Sequence, residues 1–166
     1  MDVGIVRTLG SPEGKELLRS LPAYDEAQVM PLPDRLRREG HPRELVAAVL
    51  TQQRLQARAA AKFGEFADEM LYTADGLEQA SRLEVAATHA GRFYNASLAT
   101  VHDLGCGIGA DAVAMSALGV TVQGVDIDPV TAAVADINLR PWPDSRARVG
   151  LAEEFEPPRD PLRSRV

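Results

Sequence analysis

Asp103-Leu-Gly-Cys-Gly-Ile-Gly-Ala-Asp111 places glycines at 105, 107 and 109 between two carboxylates. Ahead of it, Ala99-Thr-Val-His-Asp103 is a short strand-like run, and behind it Asp111 to Leu118 is alanine-rich and predicts a helix. Strand, glycine turn and helix in this order open a nucleotide-cofactor site, because glycine turns the backbone tightly and lets a ligand approach where a Cβ would collide.

A second strand with an acid at its end follows at the spacing such a site needs. Val120-Thr-Val-Gln-Gly-Val-Asp126 alternates as a strand does, and Asp126 lies 17 residues after Gly109, room for one helix and one turn. Asp126 is therefore the expected acceptor for a ribose diol. Asp128 is an N-cap type and Pro129 suits the first helical position, so a helix should begin at once. Val130, Val134 and Ile137 share one of its faces, and it should end over Asn138 to Pro143. A third strand is expected over Arg146 to Ala152. The βαβα order implies an α/β fold, the first part of a Rossmann-like parallel sheet.

Charge chooses among cofactors. A dinucleotide brings phosphates, which favour bare N–H groups at a helix N-terminus and often a lysine. This turn has no Lys or Arg and is flanked by Asp103 and Asp111. At roughly 6 Å and an effective dielectric near 20, each carboxylate–phosphate repulsion costs about 3 kcal/mol before screening. S-adenosylmethionine carries an ammonium and a sulfonium and no phosphate, so the turn suits it better than NAD. For Cys106 a small side chain filling the turn, with a useful backbone N–H, is the expected role rather than a reactive thiol.

These residues resemble the class I S-adenosylmethionine-dependent methyltransferases. Asp103 to Asp111 looks like the first motif of that superfamily and Gly124-Val-Asp-Ile-Asp-Pro129 like its second. Ala59 to Leu77, with Lys62-Phe-Gly and Met70-Leu-Tyr-Thr-Ala-Asp-Gly76, resembles the actinobacterial methyltransferases that carry a THUMP-like domain. Those are similar in turn to the trimethylguanosine synthase group, which methylates guanine N2 in RNA caps. The resemblance implies that Asp103 orients the amino group of the cofactor, that the backbone at Gly105, Cys106, Gly107 and Gly109 packs on it, that Asp126 holds the ribose and that Ile127 covers adenine. Thr73, with Asp75 and Gln79, would lie in a loop over the methionine end. No catalytic base is assignable.

The end of the chain departs from the family pattern. An Asn/Asp/Ser-Pro-Pro motif with an aromatic residue, which holds the methyl acceptor, has no counterpart; Glu156-Pro157-Pro158 follows Asp126 too closely. A seven-stranded sheet is expected and about three strands are in view, so the reading at this point is a truncated methyltransferase. Two alternatives stand beside it: a module that binds S-adenosylmethionine without catalysis, and an NAD-linked oxidoreductase fragment, which the flanking Asp pair disfavours.

Residues 1–98 read as helical, over Glu13 to Ser20, Asp25 to Glu39 interrupted by Pro31 and Pro33, Arg43 to Phe63, and Gly76 to Asn95 with Asp75 and Glu78 as a capping box. Residues 99–156 form the expected cofactor-binding part, and 157–166 a disordered tail. Of the 166 residues 45% are hydrophobic, enough for one core. The net charge of −6 is shared by both parts, so no global basic field advertises nucleic acid. Arg54, Arg58 and Lys62 nonetheless recur every fourth residue and form a helical stripe that would touch RNA phosphates or simply face solvent. One cysteine excludes an internal disulfide and, with no apolar run of membrane length, points to a cytoplasmic protein. His41 and His89 have no acid or cysteine partner at ligand spacing, so no metal is expected. His102, inside a strand, reads as structural.

Overall fold

The computed structural model describes residues 1–25 and 31–156. The expected tail 157–166, and the stretch 26–30 of the expected helix from Asp25 to Glu39, lie outside the described residues.

The first part is helical for local reasons. α1 (Val3–Leu9) begins where Asp2 accepts the Ile5 N–H at 2.9 Å, and α2 (Pro12–Arg19) where Ser11 accepts that of Gly14 with Pro12 at the first helical position. α3 (Leu32–Arg38) is short. α4 (Arg43–Phe63) buries Val46, Val49, Leu55, Ala59 and Phe63 at helical spacing, and its bounds are those expected from the sequence. A 3-10 turn, Gly64–Glu69, leads into an extended stretch and then α5 (Ala74–Gln79) and α6 (Leu83–Asn95). The single helix expected over Gly76 to Asn95 is thus two, broken where Ala80 turns extended (ψ 140°). The cap is Thr73, whose Oγ1 accepts the Gly76 N–H at 3.0 Å, and not Asp75.

The second part alternates as expected: β1 (Thr100–Leu104), α7 (Ala110–Ala117), β2 (Thr121–Asp126), α8 (Pro129–Leu139) and β3 (Arg146–Val149). The strands pair in parallel in the order β1-β2-β3, with Thr100 opposite Thr121 and Gln123 opposite Arg146. The third strand ends at Val149 rather than Ala152. Gly150 still donates to the Asp126 carbonyl at 2.9 Å, and the chain then enters a 3-10 turn over Ala152–Glu154. The fold is α/β, helices followed by a small parallel sheet of partial Rossmann-like form.

Sequential strands joined by right-handed crossovers put α7 and α8 on one face of the sheet, and α6 packs beside α7. One apolar cluster fills the space between sheet and helices, with Ala90, Met115, Val122 and Leu139 buried and Val101 and Ala147 packed against them. A larger one joins Val6, Leu9, Val49, Leu55, Phe63 and Tyr72 to Ile108, Val134 and Ile137. It runs across position 98, so α8 is covered by the sheet on one side and by α1 on the other. On the opposite face of the sheet the His102 ring meets Phe155, centroids 4.6 Å apart.

Candidate functional site

A cleft of about 530 Å³ opens beyond the C-terminal ends of β1 and β2, the position at which parallel α/β sheets bind ligands. One wall is the glycine turn, Gly105 to Ile108 with Ala110 and Asp111, continued by Asp126, Asp128 and Thr131. The other is α5 and its flanks, from Thr73, Asp75 and Gly76 to Gln79, Ala80 and Ser81. Of the residues singled out in the sequence, Thr73, Gly105, Cys106, Gly107 and Asp126 line it together. Asp103, Gly109 and Ile127 do not; Ile127 stands 68% exposed outside it.

The turn is built to close on β2. Gly105, Gly107 and Gly109 have φ of +86°, +56° and +81°, and a Cβ at 105 or 107 would meet nothing within 4 Å, so backbone strain and not crowding demands glycine there. Gly105 and Cys106 both donate to the Val125 carbonyl, at 2.7 and 3.0 Å, and Gly107 donates to Asp126 Oδ2 at 2.9 Å. The Cys106 N–H, expected to be free for a ligand, is therefore committed to the sheet. Its side chain fills the turn as expected: a Cβ on Gly124 would come within 2.9 Å of Cys106 Sγ. Burial, then the Asp103 and Asp126 carboxylates, push the Cys106 thiol up to about 12, which makes it inert as a nucleophile at neutral pH.

Asp126 serves two structural bonds while it lines the cleft, because its Oδ1 also accepts the Asp128 N–H at 3.0 Å. Each oxygen keeps a second lone pair for a ligand. Asp128 caps α8 through the Thr131 N–H at 2.7 Å, and that bond, first of all, holds its carboxyl below the usual range. Asp103 sits behind the lining. Burial, followed by repulsion from Asp111 and Asp126, raises its pKa. Asp111 in turn is met by His89, Nδ1 to Oδ1 at 2.7 Å, a pairing that the spacing of 22 residues along the chain concealed.

The second wall hangs on side chains that sequence reading passed over. Asn138, expected in the terminator of α8, lies inside that helix and is buried. Its Oδ1 accepts the Leu71 N–H at 2.8 Å, and its Nδ2 donates to the carbonyls of Leu71 and Ile108 at 3.0 and 2.9 Å. Gln52 of α4 does the same for the next residue, donating to the Tyr72 carbonyl at 2.7 Å and accepting its N–H at 3.0 Å. The extended stretch before Thr73 is thus clamped from both sides. Gly76 closes the fit: a Cβ there would fall 2.3 Å from Ile108 Cγ2 and 2.5 Å from Thr73 Oγ1.

Lys62 does not extend a phosphate-binding stripe. Its Nζ donates to the carbonyls of Leu77, Glu78 and Ala80 at 2.7, 2.7 and 2.9 Å, which uses all three donors and caps the C-terminus of α5. Arg58 pairs with Glu78 at 3.3 Å, and Arg54 is exposed. Among the described residues no group of three or more His, Cys, Asp or Glu could hold a metal ion, and no helix is long and apolar enough to cross a membrane.

The chain is similar to S-adenosylmethionine-dependent methyltransferases. Two relatives, each described as an uncharacterized S-adenosylmethionine-dependent methyltransferase, come from Mycobacterium tuberculosis strains CDC 1551 / Oshkosh and ATCC 25618 / H37Rv. Each is 39% identical over 90 residues, 51% of this chain and 24% of the relative, so the match spans about a quarter of the relatives' length. Residues 2–59 match the model of a family described as a domain of unknown function, DUF8688.

Proposed function

We propose that the cleft binds S-adenosylmethionine and that the chain is the cofactor-binding part of a methyltransferase. The observation that carries this reading is the charge of the lining: Asp75, Asp111, Asp126 and Asp128 line the cleft, and among the described residues no Lys, Arg or His does. A cation held about 6 Å from one carboxylate gains on the order of 3 kcal/mol before screening, and a pyrophosphate loses as much. The inward amides argue the same way. Phosphate sites offer N–H groups to the ligand, whereas Gly105, Cys106 and Gly107 spend theirs on Val125 and Asp126.

When bound, S-adenosylmethionine supplies an activated methyl group, and the protein's share is positioning. In this reading Asp126 accepts from the ribose hydroxyls with its remaining lone pairs. Asp103 and Asp111 place negative charge at the amino-acid end, and Thr73 and Gln79 close over it from α5. The relatives' description supports the cofactor and the reaction class. RNA as the acceptor, and guanine N2 within it, rests on the sequence resemblance alone: of the α4 stripe Lys62 is withdrawn and Arg58 is paired with Glu78.

The test is calorimetric titration of the chain with S-adenosylmethionine, S-adenosylhomocysteine and NAD. Both adenosyl ligands should bind more tightly than NAD. Asp126→Ala should weaken them by about 1.5–3 kcal/mol, the loss of a charged acceptor. NAD binding tighter than S-adenosylmethionine, or an unchanged affinity in Asp126→Ala, would sink the assignment.

A further inference from the structure

We infer that His89 is a positioning residue of this cleft, holding the Asp111 carboxylate toward the charged amino-acid end of the ligand; the inference rests on the cofactor reading above. Asp111 is in the first turn of α7 and lines the cleft, while His89 stands on α6, outside the lining. Their contact is short, Nδ1 to Oδ1 at 2.7 Å, with the side chains 43% and 30% exposed. An ionised carboxylate only accepts, so the imidazole donates from Nδ1. That bond engages Oδ1 and leaves Oδ2 for the ligand.

Asp111 needs such a tether because the Asp103 carboxylate repels it. Asp111 lies close enough to Asp103 that, after burial, its charge raises the Asp103 pKa. With no cation lining the cleft among the described residues, a free Asp111 side chain lowers its energy by turning toward water. His89 opposes this with a donor fixed on a packed helix: α6 lies along α7, with Ala90 buried in their shared cluster. The arrangement holds a carboxylate in place before the ligand arrives, so ordering it costs nothing on binding. Asp126 is committed to the opposite task, at the end of β2, which leaves the Asp111 side for the cationic end.

The experiment compares His89→Leu and His89→Asn in the full chain. Asn carries an N–H near the position of Nδ1, and Leu carries none. Titrations use S-adenosylmethionine and 5′-methylthioadenosine, which lacks the amino-acid end. His89→Leu should weaken S-adenosylmethionine about 5- to 20-fold and leave 5′-methylthioadenosine unchanged, and His89→Asn should recover most of the loss. In an Asp111→Asn background, His89→Leu should add little further loss. Equal weakening of both ligands, no recovery in His89→Asn, or wild-type affinity in His89→Leu overturns the positioning role while leaving the cofactor reading intact. Failure of the wild-type chain to bind either ligand overturns both.

Discussion

On the glycine-turn side of the cleft, most of the ties that hold the wall run within one βαβ unit: Gly105 and Cys106 to the Val125 carbonyl and Gly107 to Asp126, 19 residues on. On the α5 side, the ties reach across the molecule, from Asn138 to Leu71 over 67 residues, from Gln52 to Tyr72 over 20 and from Lys62 to the end of α5. The first wall is a local motif that carries its own anchors. The second is a short helix of six residues, too short to be stable on propensity alone, kept in place by three polar side chains from other helices. The cleft therefore depends on Gln52, Lys62 and Asn138, side chains that do not themselves line it, and each wall can be loosened separately.

Asn138 is where the two walls meet, since it binds both Leu71 and the Ile108 carbonyl of the glycine turn. Asn138→Leu keeps the volume roughly and leaves three buried backbone groups without partners. The expected loss is on the order of 3 kcal/mol, a fall in Tm of about 10 °C, together with loss of S-adenosylmethionine binding. Thermal unfolding and calorimetry check it. A Tm within a degree or two of wild type would mean that the bridge between the walls is dispensable.

The same contrast explains what was legible in the sequence. β1, α7, β2, α8 and the Asp128–Pro129 start of α8 follow from glycine spacing, strand alternation and capping chemistry, all of them short-range signals, and α4 from its apolar period. Gly105, Cys106, Gly107 and Asp126 of that wall were singled out for the same reason, but so were Asp103, Gly109 and Ile127, which stand outside the lining, and the inward turn of the Cys106 amide was not legible because it depends on where β2 lies. The second wall was misread. Gly76 to Asn95 has unbroken helical composition, and the break at Ala80 is sustained by Lys62, whose three bonds cross from α4. Lys62 on its own helix looks like one more member of a basic stripe with Arg54 and Arg58. Asn138 near Pro141 and Pro143 looks like a helix terminator, and the acid that His89 meets lies 22 residues further on. Each role arises from a long-range contact that no window of sequence contains.

Lys62→Met loosens only the second wall. It retains the aliphatic stem and removes three charge-assisted bonds at a partly buried site, at an expected cost of about 1–2 kcal/mol. Hydrogen exchange should accelerate at the amides of Leu77 and Ala80 and remain unchanged at Gly105 and Gly107. S-adenosylmethionine affinity should fall a few-fold. If exchange quickens in the glycine turn as well, the walls are coupled more tightly than their separate ties imply.

Asp103→Asn acts on the first wall alone and should separate stability from binding, with the smallest effect of the three. Burial, Asp111 and Asp126 raise the Asp103 pKa in the folded protein. A carboxyl that binds its proton more tightly when folded contributes stability that is present below the ordinary carboxylate pKa, near 4, and lost as pH rises through the raised folded value. At pH 7 the ionised group therefore opposes folding of the ligand-free chain. Asn removes that charge, so Tm at pH 7 should rise by a degree or two, and the difference should shrink as pH falls below the ordinary carboxylate range. Affinity for S-adenosylmethionine should move the other way, because a cation in the cleft favours the ionised Asp103 that folding disfavours. A cationic ligand should accordingly bind less well to the wild-type chain as pH drops through the raised Asp103 pKa, and Asn should flatten that dependence. A lower Tm at pH 7, or a stability difference that does not change with pH, would show that the Asp103 carboxylate is held by a partner that outweighs its burial, and the cluster of carboxylates behind the turn would then not be the source of the cleft's preference for cations.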